Sequence, residues 1–82
     1  MEEKQIGTVT DYFKKIEVAA ITLTGNLKKG DKIHIKGATT DFEQNVESIQ
    51  IKKQAVEKAK ARDEIGIKVN DRVRKNDKVF LA

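Results

Sequence analysis

An all-β fold, a small closed or partly closed antiparallel β-barrel, is what this sequence predicts, and three observations carry the expectation. The dominant hydrophobic period is two, the residues in phase are largely β-branched, and Gly, Asn and Asp recur between short apolar runs. No long helical segments alternate with those runs, which sets aside a parallel α/β sheet.

The elements follow in order. Ile6-Gly7-Thr8-Val9-Thr10 and Glu17 through Thr24 alternate apolar with polar, placing Ala19, Ile21 and Leu23 on one face. Asp31 through Gly37 is the clearest case, with Ile33 and Ile35 inward and Lys32, His34 and Lys36 outward. From Phe42 to Ile51 the apolar phase slips between Val46 and Ile49, and a β-bulge near Glu47-Ser48 would absorb the slip in one continuous strand. Glu64 to Val69 alternates again, and Lys78 to Leu81 closes the chain, for six or seven strands in all. Turns are expected at Gly25-Asn26, Lys29-Gly30-Asp31, Gly37-Ala38, Asn70-Asp71 and Asn76-Asp77. The Ala-, Glu- and Lys-rich segment Gln54 to Arg62 is compatible with a short helical turn or with strand plus loop.

With 82 residues, 17 Lys or Arg and 13 Asp or Glu, the chain has a net charge of +4 and room for one domain, residues 1–82, without a separate catalytic domain. Its 37% charged content exceeds the usual ~25%, so a thin core under a solvated surface is expected. The absence of Cys excludes disulfides and thiolate chemistry and suits a cytoplasmic location. The acidic start MEEKQIG does not read as a signal peptide, and no apolar stretch is long enough to span a membrane.

Enzymatic chemistry finds little support. The one Ser and the one His, Ser48 and His34, fall on different strands with nothing to tie them together, and His34 reads as a surface residue. A lone His with Asp31 nearby falls short of a zinc site. Gly25-Asn26-Leu27-Lys28-Lys29-Gly30 has the glycine spacing of a phosphate loop, but Asp31-Lys32 follows where Lys then Ser or Thr is required, so a hairpin connection is the better reading. No enzyme activity, cofactor, metal or bound nucleotide is expected.

The remaining signal is basic. Lys14, Lys15, Lys28, Lys29, Arg62, Arg72, Arg74 and Lys75, at turns and in the C-terminal third, are the candidate RNA-binding residues. Acids are interleaved among them, and a plain solvated surface is the competing reading. Tyr12 and Phe13 can stack a base, though a hydrophobic anchor at a strand end explains them more simply.

Leu23-Thr24-Gly25-Asn26-Leu27-Lys28-Lys29-Gly30-Asp31, Thr39-Thr40-Asp41-Phe42-Glu43-Gln44, Val46 to Ile51, Asp63-Glu64-Ile65-Gly66-Ile67 and Asn76-Asp77-Lys78-Val79 together resemble the second, β-barrel domain of translational GTPases. The nearest likeness is to the small stand-alone proteins called translation elongation factor-like. A similar barrel ends the collagenase-like peptidases. Gly30-Asp31 reads as a tight strand entry with Asp31 capping turn amides, and Gly66 as a bulge or close backbone approach. Arg62 stands where the family usually has glycine, which leaves a positive-φ turn there in doubt. The resemblance implies a translation-related binding module contacting rRNA, tRNA or the ribosome. The alternative is a protein-interaction adapter docking on a larger enzyme or factor.

Overall fold

A computed structural model describes residues 4–82. Ten strands form in chain order: β1 Lys4–Phe13, β2 Val18–Leu23, β3 Leu27–Lys28, β4 Lys32–Lys36, β5 Asp41–Asn45, β6 Ile49–Ile51, β7 Gln54–Val56, β8 Lys58–Ala59, β9 Glu64–Lys68 and β10 Lys78–Leu81. Eight of them make one antiparallel sheet in the order β5-β4-β10-β1-β2-β9-β6-β7, and β3 pairs with β8 in a separate two-stranded ribbon. The all-β, antiparallel architecture is therefore as expected. The sheet has two edges, β5 and β7, with no backbone ladder between them among the described residues.

Alternation fixes the inward face. Ile33 and Ile35 of β4, Ala19, Ile21 and Leu23 of β2, and Ile65 and Ile67 of β9 are all buried in one apolar cluster, joined by Ile6, Val9, Ile49 and Val79. Burying such side chains supplies about 1.5–3 kcal/mol each, and this core is what holds the sheet together without disulfides.

One local expectation is corrected, the strands number ten rather than six or seven, and two open readings are decided. The run from Phe42 to Ile51 is not one bulged strand: it is β5, which pairs with β4, and β6, which pairs with β7 and β9. At the slip, Val46 turns inward and leaves the sheet, its N–H donating to Asp31 C=O (2.8 Å) while its C=O accepts from Gly30 N–H (2.8 Å). The bulges fall in β1 instead, where Ile6 is the extra residue against β10 and Thr10 the extra residue against β2. Each lets the long strand bend. Gly66 is not a bulge, since it pairs in register with Ala20, but a Cβ there would lie 3.2 Å from Val18 Cγ1, so close approach is its role. Gln54 to Arg62 adopts strand plus loop, as β7, β8 and a turn.

Edge strand β5 is tied down by a side chain. Gln44, only 7% exposed, donates from Nε2 to Lys68 C=O (2.9 Å) and accepts at Oε1 from Asn70 N–H (2.8 Å), joining β5 to the end of β9. Gln44→Leu fits the same volume but unpairs both backbone groups, and we expect a loss of about 1–3 kcal/mol in urea unfolding. Hydrogen exchange should quicken first at Asn70, whose amide loses its acceptor.

Candidate functional site

Three turns share one construction. In Lys28-Lys29-Gly30-Asp31, Lys60-Ala61-Arg62-Asp63 and Arg74-Lys75-Asn76-Asp77, the Asp N–H donates to the first residue's C=O at 3.1 Å in each case. The Asp carboxylate accepts in return from the first residue's N–H, at 3.1, 3.0 and 2.8 Å respectively. The third residue has positive φ: 96° at Gly30, 78° at Arg62 and 74° at Asn76. Each Asp then leads directly into a strand, β4, β9 or β10.

Asp31 thus caps its turn as the sequence suggested. The turn at Arg62 forms without glycine, although a left-handed conformation costs an L-residue about 1–2 kcal/mol. It is held by the Asp63 carboxylate and by backbone bonds on both sides, Arg62 N–H to Leu23 C=O and Leu23 N–H to Asp63 C=O, each 2.9 Å.

This construction places five of the eight candidate basic residues, Lys28, Lys29, Arg62, Arg74 and Lys75, on Asp-closed turns. Lys14 and Lys15 lie in the β1–β2 turn and Arg72 in the loop before the third Asp turn, and all eight are exposed. Three of them line depressions in the surface. Lys28 rims a groove of about 760 Å³ with Lys58, Lys60, Asp31 and Asp63 around a floor of Leu27, Ala59 and Leu81. Arg72 and Arg74 line a smaller depression of about 240 Å³ beside Asp41 and Asp71, which shares no residue with the first.

A third depression, of about 420 Å³, went unrecognised in the sequence. Phe13 and Ile16, 47% and 61% exposed, flank it with Val18, Ala20 and Gly66, and Lys52 and Lys53 stand at its rim. Of the pair expected to anchor a strand end, Tyr12 packs on the core while Phe13 does not. The available signal was Ile16, a large aliphatic residue in a turn.

His34 is half-buried rather than fully outward. Its Nε2 is bonded to Asp41 Oδ1 across the β4–β5 pair, and its ring lies 6.3 Å from that of Phe80. The hydrogen bond from His34 holds the Asp41 carboxyl below its ordinary value of 3.8; desolvation opposes the shift, and the positive fields of His34 and Lys36 add to it. A carboxyl whose folded-state value is depressed contributes stability that is complete above the unfolded value and disappears as pH falls through the folded one. In urea unfolding, the advantage of the native chain over Asp41→Asn should therefore be present near pH 5 and shrink steadily below about pH 4. Among the described residues no group of three His, Asp or Glu could hold a metal ion, and no helix is long and apolar enough to cross a membrane.

Comparison with known proteins corrects the translational assignment. No family model matches the chain. It is 45% identical over 78 residues to an uncharacterised protease of Methanocaldococcus jannaschii, covering 94% of this chain and 19% of the protease. It is 37% identical over 81 residues to a collagenase of Porphyromonas gingivalis, covering 96% of this chain and 22% of that one. The chain thus spans about a fifth of the length of these curated relatives. Among solved structures, the C-terminal domain of a Geobacillus thermoleovorans protein named as a U32 peptidase superimposes in two crystal structures, one of them of a selenomethionine variant. The TM-scores are 0.90 and 0.91 at 18% and 17% identity, over 94% and 96% of this chain and 98% and 92% of that domain, which is a likeness of fold. The relatives are named as proteases and collagenases, not translation factors, so the translation-related RNA-binding reading falls and the alternative, a domain that works on a larger protein, fits better. What this chain matches is one small part of such peptidases.

Proposed function

We propose that this chain, residues 1–82 as one unit, is a non-catalytic accessory module of a U32-peptidase-type protein, docking beside the part that carries the chemistry. The observation that carries the reading is the 45% identity to a fifth of a protease, extending over nearly all of this chain. Two features support it. Among the described residues, no group of three His, Asp or Glu is placed to hold a metal ion. The sheet, moreover, is bent by two bulges in β1 and bridged at its β5 edge by Gln44, which favours a partly closed barrel, a rigid body suited to docking. Lys28, Lys29, Arg62, Arg72, Arg74 and Lys75, all exposed, then belong to its solvated surface.

The test is a chimera in which this chain replaces the matching fifth of the P. gingivalis collagenase, compared with the same enzyme lacking that fifth. Cleavage of denatured collagen should persist in the chimera within about tenfold of the native enzyme, as expected when binding and positioning are kept. The isolated chain should cleave nothing. A chimera no better than the truncated enzyme, or cleavage by the isolated chain, would overturn the proposal.

A further inference from the structure

We propose that the face formed by Phe13, Ile16, Val18 and Ala20, together with the Lys52-Lys53 hairpin, is the docking surface of this module. Its partner is a protein surface with an apolar centre ringed by carboxylates. The inference deepens the accessory-module reading and rests on it, taking the partner to be the remainder of a U32-peptidase-type protein.

Three independent features meet there. Phe13 and Ile16 are the large hydrophobic side chains left exposed among the described residues, and both border the same depression. Exposed apolar groups scattered singly need no explanation, but two beside a concave apolar floor do. The floor is shallow because small residues face each other across β2 and β9, Ala20 opposite Gly66, so a partner side chain can approach the backbone.

Charge selects the partner. Lys14 and Lys15 occupy the turn between Phe13 and Ile16, Lys52 and Lys53 the opposite rim and Lys68 the position paired with Val18, and Asp11, paired with Ala20, Glu17 and Glu64 offset them. Five cations against three carboxylates leave the face positive, which favours an acidic surface and disfavours a basic one.

Backbone strain is concentrated at the same place. Ile51 pairs with Gln54, so Lys52 and Lys53 form a two-residue hairpin loop with φ of 51° and 68°. Positive φ at both central residues defines a type I′ turn, for which Asn-Gly is the favoured pair. Glu17, in the facing turn, is also left-handed at φ 56°. Unlike Arg62 and Asn76, none of these three belongs to an Asp-closed turn. Left-handed backbone at non-glycine residues costs free energy and clusters at functional positions.

The test uses the collagenase chimera and amide hydrogen exchange. Relative to the isolated chain, the amides of residues 13–18 and 51–54 should slow by about tenfold or more in the chimera, and the slowing should weaken as salt is raised. Phe13→Ser with Ile16→Ser should return them to the rates of the isolated chain. Lys52→Asn with Lys53→Gly relieves the hairpin, so the isolated variant should unfold at higher temperature while the salt-dependent part of the protection in its chimera shrinks to what Lys14, Lys15 and Lys68 supply. Because that variant folds better, its effect cannot be ascribed to unfolding. Protection confined to the groove at Lys28 and Lys60 would overturn this surface and leave the accessory role standing, whereas no protection anywhere in an inactive chimera would overturn both. A concentration-dependent dimer of the isolated chain, abolished by the two Ser substitutions, would give the face to a second copy and also overturn the acidic partner.

Discussion

Gly37→Ala is expected to destabilise the protein by about 3 kcal/mol, combining an overpacking cost of about 1–3 kcal/mol with about 1–3 kcal/mol for a buried amide left unpaired. A Cβ at this position would lie 2.6 Å from Asp77 Cγ and closer still to Oδ1. Neither side can yield cheaply. Asp77 is 4% exposed, its Oδ2 accepts from Arg74 N–H at 2.8 Å, and its turn is hooked onto β1 by Val9 N–H to Asp77 C=O and Asn76 N–H to Val9 C=O, both 2.8 Å. Gly37 is held in turn by its N–H to Thr40 C=O at 2.7 Å. Relieving the clash means swinging the carboxylate off Arg74, which opens the entry to β10, a strand in the middle of the sheet. For a domain of this size the thermal midpoint should fall by more than about 10 °C. A double-mutant cycle isolates the cause: Asp77→Ala removes both the clash and the turn bond, so Gly37→Ala should cost far less in that background. Additive losses would show that the crowding at Gly37 lies elsewhere.

The Asp-closed turns also show what the sequence could and could not convey. Gly30-Asp31 was readable as a strand entry because glycine advertises positive φ. The same turn at Arg62 and at Asn76 was less visible, since its constant feature is an Asp three residues after a basic residue and just before a strand. In β4 the alternation about Ile33 and Ile35 left no ambiguity. At Val46 it failed, because a slip of phase looks the same whether the chain bulges within a strand or leaves one sheet neighbour for another. Long-range backbone bonds to Gly30 and Asp31 decide which, and they have no local signature. The candidate surface was hidden for a related reason: Phe13 reads in the sequence as a hydrophobic anchor at a strand end, and the extra residue at Thr10 shifts the phase of β1 so that Tyr12 turns inward and Phe13, paired with Val18, faces outward. The translational assignment erred because Lys-Gly-Asp and Ile-Gly-Ile serve turn and sheet geometry here. They identify a way of folding, which unrelated activities share.

Ile67→Ala is expected to cost about 2–5 kcal/mol, and the position should sit toward the upper part of that range. The spread for such truncations depends on how far the surroundings can collapse into the space left behind. Ile67 is fully buried, and its partner across the β2–β9 ladder is Ala19, also fully buried and already too small to lean into the gap. On the other side β9 meets β6 through a single registered pair, Gln50 with Gly66, so β6 is poorly placed to follow β9 inward. For a chain of 82 residues, total stability is expected at roughly 4–12 kcal/mol, so this one truncation removes a large share of it. Ile67→Val, which deletes one methylene group, should cost about 0.5–1.5 kcal/mol and leave a cooperative transition. Urea titrations of the three proteins should therefore give midpoints in the order native, Val, Ala, with slopes unchanged wherever folding remains two-state. A cost below about 1.5 kcal/mol for Ile67→Ala would mean that the strands can close up around β9, and the rigidity assumed for a docking module would then be lacking at its centre.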